Sequence, residues 1–88
     1  MTIDKQWYVY LLLCSDHSIY TGITNDLDKR ITTHNSGKGA KYTKARLPVI
    51  LITAHPVPNK SQALKLEYLI KTLSHKQKLD FIPTLPIP

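Results

Sequence analysis

The sequence predicts an α+β fold: a small, mainly antiparallel three-stranded sheet flanked by helices, in the order β-β-α-β-α-α. Three observations lead there. A chain of 88 residues is below the usual size of two domains and has one modest core to build, burying roughly two thirds of its unfolded surface. Its first two apolar blocks, Trp7 to Cys14 and Ile19 to Ile23, are separated only by Ser15-Asp16-His17-Ser18, whose turn chemistry makes a hairpin of them. A third apolar block, Pro48 to Ala54, follows one helical pattern and precedes another.

The elements follow in order. Trp7-Tyr8-Val9-Tyr10-Leu11-Leu12-Leu13-Cys14 is apolar or aromatic at successive residues, which suits a strand buried on both faces. Ile19 to Ile23 returns beside it. Asn25 is a good N-cap with Asp28 at the third helical position, and Leu27 and Ile31 share a face, so the first helix is predicted over Asp26 to His34, ending at Gly37. Residues 36–46 combine glycines with Lys38, Lys41, Lys44, Arg46 and one aromatic, Tyr42, without apolar periodicity, and read as a surface loop. Pro48 to Ala54 is β-branched enough for a third strand, bounded by Pro56 and Pro58. Ser61 is the predicted cap of a second helix whose Ala63, Leu66, Ile70 and Leu73 form one stripe, and Ser74 that of a short third helix ending before Pro83. Residues 1–82 thus read as one domain and 83–88 as a Pro-rich tail that cannot extend a helix.

Composition narrows the function classes. The formal charge of +6 favours an anionic partner, and from Lys29 to Leu66 eight Lys or Arg residues occur without one Asp or Glu. A merely solvated surface would also fit, but so long an acid-free stretch favours a phosphate-contacting face, with Lys38, Lys41, Tyr42, Lys44 and Arg46 as its nucleic-acid contacts. The one cysteine, Cys14, allows no internal disulfide and no Cys-based zinc site, in keeping with a reducing compartment. No apolar stretch is long enough to span a bilayer, so a cytoplasmic location without membrane contact is expected. A monomer or weak dimer is expected.

Tyr8-Val9-Tyr10 on the first strand and Tyr20-Thr21-Gly22 on the second, with Tyr10, Tyr20 and Arg30 at steps of ten residues and Glu67 on the helix after the third strand, resemble the pattern of the GIY-YIG nuclease family. The string from His34 through Gly37, Gly39, Ala40, Tyr42 and Thr43, with Glu67-Tyr68 and Ile70-Lys71, is similar to its small stand-alone branch, and the resemblance spans Tyr8 to Ile82. It implies a GIY-YIG fold and a divalent-metal-dependent endonuclease hydrolysing DNA phosphodiester bonds, DNA rather than RNA, with branched, damaged or single-stranded forms as candidates. It also implies one Mg²⁺ or Mn²⁺ at Glu67 and a catalytic set of Tyr10, Tyr20, Arg30, His34 and Glu67. The pattern departs at Tyr8, at Thr21, at Ile23 where many family nucleases carry lysine, and in having no asparagine after Glu67. A nucleic-acid-binding module with weak or absent catalysis is therefore the alternative.

Residue chemistry weighs each candidate. Glu67, the only glutamate, has apolar helical neighbours; a carboxylate there wants a cation, either a metal completed by waters and phosphate or Lys71 one turn on. Arg30 can grip a phosphate bidentately or merely solvate its helix. His34, on the same side, is open between general base, phosphate donor and helix-end cation. Tyr10 and Tyr20 are candidates to hold or activate water, which at neutral pH needs something to lower a phenol pKa from about 10. Tyr8 and Tyr68 read as packing, Gly22 as a place of close backbone approach, and no nucleotide cofactor is implied.

Overall fold

The computed structural model describes residues 6–81. Strands β1 (Trp7–Leu13), β2 (Ile19–Thr24) and β3 (Ile50–Val57) form one antiparallel sheet in the order β2-β1-β3. The helices are α1 (Leu27–Asn35), α2 (Lys41–Lys44), α3 (Lys60–Lys71) and α4 (His75–Phe81). The expected domain end at 82 and the tail 83–88 lie outside the described residues.

The central strand is apolar throughout because both its faces are covered. Val9 and Leu11 pack with Ile19, Val57 and the Ala63 and Ile70 of α3. Tyr10 and Leu12 point the other way, packing with Cys14, Val49, Tyr20 and the Leu27 and Ile31 of α1. Helices α1 and α3 therefore sit on opposite faces of β1; α1 supplies Leu27 and Ile31 and α3 supplies Ala63, Leu66 and Ile70, while Leu73 of the predicted stripe lies beyond the end of α3.

Several boundaries differ from expectation. The N-cap of α1 is Asp26, whose side chain accepts from the Lys29 amide at 3.3 Å, and that of α3 is Asn59, accepting from Gln62 at 2.9 Å. Asn25 and Ser61 are equally good capping residue types, and only the chain path decides between neighbours. Ser74 does cap α4, in a reciprocal pair with Gln77. The segment 36–46 is not all loop: α2 is a single turn, closed by Lys44 N donating to Ala40 O at 3.1 Å, too short to leave a periodic signal. Strand β3 starts later than predicted and runs through Pro56, which an edge strand tolerates. Tyr68, expected to pack, is 75% exposed.

Candidate active site

Tyr10 faces Gly22 across the β1–β2 pairing. Their side chains would share one face, and the missing side chain lets the Tyr10 ring lie across β2: a methyl at position 22 would meet the phenol hydroxyl, and sit 2.5 Å from Cζ. The phenol is carried outward over the edge strand, where α1 delivers Arg30 and His34 one helical turn apart. Arg30 Nε donates to the Tyr10 oxygen at 3.3 Å, and His34 Nε2 lies 2.9 Å from the same oxygen. Burial raises the Tyr10 pKa above its ordinary value, more than the Arg30 hydrogen bond lowers it, with the neighbouring Tyr20 and Glu67 adding to the rise. The lowering that water activation would need is thus not supplied at Tyr10: the phenol keeps its proton at neutral pH, and at 1% exposed it does not face water.

His34 is also not where the sequence allowed. It is fully buried, against direct contact with phosphate or action as a solvated cation, and its pKa is lowered by burial and by the Arg30 charge. Its Nδ1 is 2.8 Å from the Thr43 hydroxyl on α2, which itself donates to Ala40 O at 3.0 Å. Gly39 passes so close that a Cβ there would lie 2.8 Å from the imidazole Cγ. Thr43 and Gly39 are site residues that spacing could not single out, because they reach His34 through a loop and not along a helix. Their one sequence trace is the string beginning at His34 noted above.

Tyr20, half-buried, is the second phenol. Its ring centroid is 5.3 Å from His34 and 6.4 Å from Tyr10, and it stacks on Tyr42 at 6.0 Å. Arg30 is partly exposed and its guanidinium is held charged chiefly by the hydrogen bond to Tyr10, with Tyr20 contributing. Beside it, Thr24, Asn25, Asp26, Lys29, Arg30 and Thr33 line a polar cavity of about 220 Å³.

Glu67 rises from α3, between Ala63 and Ile70 of the buried stripe. Its carboxylate pairs with Lys71 Nζ at 3.4 Å and is partly open to solvent, its charge reaching Tyr10. The described residues contain no cluster of three His, Cys, Asp or Glu side chains able to hold a metal. A lone carboxylate does not suit zinc, but it fits Mg²⁺ or Mn²⁺, which take one or two protein oxygens and complete the shell with water and phosphate.

Of the basic segment, Lys38, Lys41, Tyr42 and Lys44 are exposed. Arg46 is engaged at the surface: Nε donates to Asp16 at 2.9 Å, Nη1 to Tyr42 O at 2.8 Å, and the guanidinium carbon lies 3.9 Å from the Tyr42 ring centroid. Hydrogen bonds from Ser18, with Arg46 adding to them, hold the Asp16 carboxyl below the usual carboxylate range. Arg46 thus ties α2 to the β1–β2 turn while its guanidinium stays partly exposed. Lys41, Tyr42, Lys44, Ala45 and Arg46 line an open basin of about 700 Å³ that Tyr42 connects to Tyr20.

The paired tyrosines over a bare glycine, with a helical arginine behind them, are matched by comparison with known proteins: residues 6–80 fit the GIY-YIG catalytic domain. The chain belongs to the GIY-YIG family. It is 47% identical over 88 residues to the UPF0213 protein Reut_B5558 of Cupriavidus pinatubonensis, covering 100% of this chain and 98% of that one. It is 53% identical over 75 residues to the UPF0213 protein SH2523 of Staphylococcus haemolyticus, covering 85% and 92%. The solution NMR structure of the protein EF2693 from E. faecalis is similar with a TM-score of 0.66 at 43% identity, covering 96% of this chain and 90% of that one. That of the UPF0213 protein BH0048 from Bacillus halodurans gives 0.57 at 46% identity, over 89% and 83%. Membership in the GIY-YIG family puts the chain among nuclease relatives, and no helix among the described residues is long and apolar enough to cross a membrane.

Proposed function

We propose that this GIY-YIG chain is a divalent-metal-dependent endonuclease that hydrolyses DNA phosphodiester bonds, acting in the cytoplasm as a monomer or weak dimer. The observation that supports it most is the meeting of Tyr10, Tyr20 and Arg30 at one sheet edge, with the Glu67 charge a minor influence on the same phenol. In this reading Glu67 is the residue that holds Mg²⁺ or Mn²⁺. Bound there, such an ion would supply Lewis-acid chemistry to the phosphodiester.

The chain's own side chains divide the remaining work. Arg30, with Nε spent on Tyr10, keeps the other guanidinium donors for a non-bridging phosphate oxygen, and its charge persists through the pentavalent transition state. Tyr20, the phenol that solvent can reach, orients the attacking water through its hydroxyl. Tyr10 and His34 hold Arg30 from behind. Lys38, Lys41 and Lys44 contact flanking phosphates, and Tyr42 offers a stacking edge to a base beside the scissile bond.

Incubating the pure protein with single-stranded, branched, damaged and duplex DNA in Mg²⁺ or Mn²⁺ tests the proposal. Removing one electrostatic stabiliser costs about 100- to 1000-fold, so Glu67→Ala and Arg30→Ala should each lose cleavage on that scale while still binding DNA. Undiminished cleavage by Glu67→Ala would falsify the assignment. A binding module without catalysis is favoured by two observations, Ile23 in place of the lysine and the Glu67–Lys71 pair. It predicts salt-sensitive DNA binding with no metal-dependent products from the unaltered protein.

A further inference from the structure

The buried hydroxyl of Thr43 has one proton to give. It gives it to the Ala40 carbonyl, 3.0 Å away within the turn of α2, so toward the imidazole the same oxygen can only accept. His34 Nδ1, at 2.8 Å from that oxygen, must then carry its N–H. A neutral ring protonated at Nδ1 has a bare lone pair at Nε2, and the Tyr10 hydroxyl at 2.9 Å donates into it. That leaves the phenol oxygen as acceptor for Arg30 Nε at 3.3 Å. Each step fixes the next, and the series runs one way, from Arg30 through Tyr10, His34 and Thr43 to the Ala40 carbonyl.

We propose, resting on the nuclease reading of this site, that Thr43 is a positioning residue that locks His34 in the Nδ1–H tautomer and thereby aims the Arg30 guanidinium at the phosphate. Nothing about Thr43 places it near substrate: it is 0% exposed and sits on the far side of the imidazole from Arg30's phenol partner. Its influence is carried by proton direction. Without that hydroxyl the Nδ1 proton has no acceptor at 2.8 Å, and the ring does better with its proton on Nε2. Nε2–H would then donate to the Tyr10 oxygen in competition with Arg30 Nε–H, and the phenol proton would be left without its acceptor. Arg30 would lose the contact that orients it. Gly39 serves the same end, since only a residue without a side chain lets the chain pass the imidazole closely enough to bring α2 against it. Burial and the Arg30 charge keep the ring neutral, as the tautomer requires.

The nitrogen chemistry can be read without any activity. Long-range ¹H–¹⁵N spectra of the full chain, metal-free at neutral pH, report which imidazole nitrogen bears the proton, the His34 signals being assigned by their loss in His34→Asn. The expected result is Nδ1–H in the unaltered protein and in Thr43→Ser, with Nε2–H appearing in Thr43→Val. A proton on Nε2, or on both nitrogens, in the unaltered protein overturns the proposal, as does a Thr43→Val spectrum identical to it. The unaltered protein and Thr43→Ser decide the matter even where Thr43→Val fails to fold. In Mg²⁺- or Mn²⁺-dependent cleavage, Thr43→Val should lower kcat by about 10- to 100-fold, as displacing an orienting group by about 1 Å does, with KM for DNA little changed and Thr43→Ser restoring the rate. Equal loss in Thr43→Ser and Thr43→Val would show a packing role only and overturn the positioning role. Absence of cleavage by every form would fall on the nuclease reading, while the nitrogen spectra still decide the tautomer.

Discussion

Gly22→Ala is the sharpest test of how the site is assembled. The added methyl would meet the Tyr10 hydroxyl and lie 2.5 Å from Cζ, where ordinary contact is 3.4–4 Å. The phenol must therefore retreat by roughly 1 Å, and it is a ring held on a central strand with 1% of its surface exposed, so it has little room to go. Overpacking of this kind costs about 1–3 kcal/mol, and stretching the bond between Tyr10 and buried His34 adds about 1 kcal/mol. Their sum of about 2–4 kcal/mol, at about 4–8 °C per kcal/mol for a chain of this size, lowers Tm by at least about 8 °C. Calorimetric melting of the unaltered protein, Gly22→Ala, Tyr10→Leu and the double variant measures it. With the ring removed the alanine should cost little, so the cycle should return a coupling close to the whole cost, about 2–4 kcal/mol. A Tm for Gly22→Ala within about 2 °C of the unaltered protein, or additive effects in the double variant, would mean that the phenol does not cross Gly22.

Three further outcomes follow from the same structure. Thr21 Oγ1 is buried without a hydrogen-bond partner among the described residues, so Thr21→Val, which keeps the shape and drops the hydroxyl, should stabilise the fold by about 1 kcal/mol in urea titration; destabilisation would reveal a partner. With Arg46 committed to Asp16, three exposed cations remain on the 36–46 segment, and neutralising Lys38, Lys41 and Lys44 to glutamine should flatten the log-log salt dependence of duplex DNA binding by up to about 2.7. An unchanged slope places the phosphates elsewhere. The His34 pKa is depressed in the folded state, so the unfolded chain takes up that proton first. Stability from this ring is fully present above pH 6.5 and is lost as pH falls toward the folded value, with a slope of at most about 1.4 kcal/mol per pH unit. Urea midpoints between pH 7.5 and 5 should fall less steeply in His34→Asn, and parallel curves would contradict the shift.

The legible parts of the fold are those written in periodicity. Strand β1 is apolar at every residue because α1 and α3 cover its two faces, and the stripes on both helices name the faces that do so. The meeting of Tyr10, Tyr20 and Arg30 was legible only through the motif spacing. What the sequence could not carry is depth. Arg30 and His34 are four residues apart and share a helix side, yet one is partly exposed and the other sealed, because the chain returns over His34 at Gly39 and Thr43. That return depends on a loop and one helical turn, which have no period to read. Likewise Tyr10 and Tyr20 look equivalent as strand tyrosines, and the difference between them comes from which strand is central.

The departure at position 23 has a structural meaning that the motif alone lacks. Residues alternate along β2, so Ile23 points away from the face that carries Tyr10, Tyr20 and Arg30 and packs with Val9, Leu11, Ala63 and Ile70 beneath α3. In this chain a lysine there would begin on the face covered by Glu67's own helix, and burying its stem among those apolar side chains would leave its charge seeking the nearest carboxylate. Isoleucine instead completes the core, and the cation beside Glu67 is Lys71, one turn along α3 and itself half exposed. The consequence for chemistry is that no strand lysine depresses a phenol here. In the proposed nuclease reading, polarisation of the attacking water would therefore have to come from an ion held at Glu67 and from Arg30, which would place the weight of the mechanism on the hydrogen-bond series that orients Arg30.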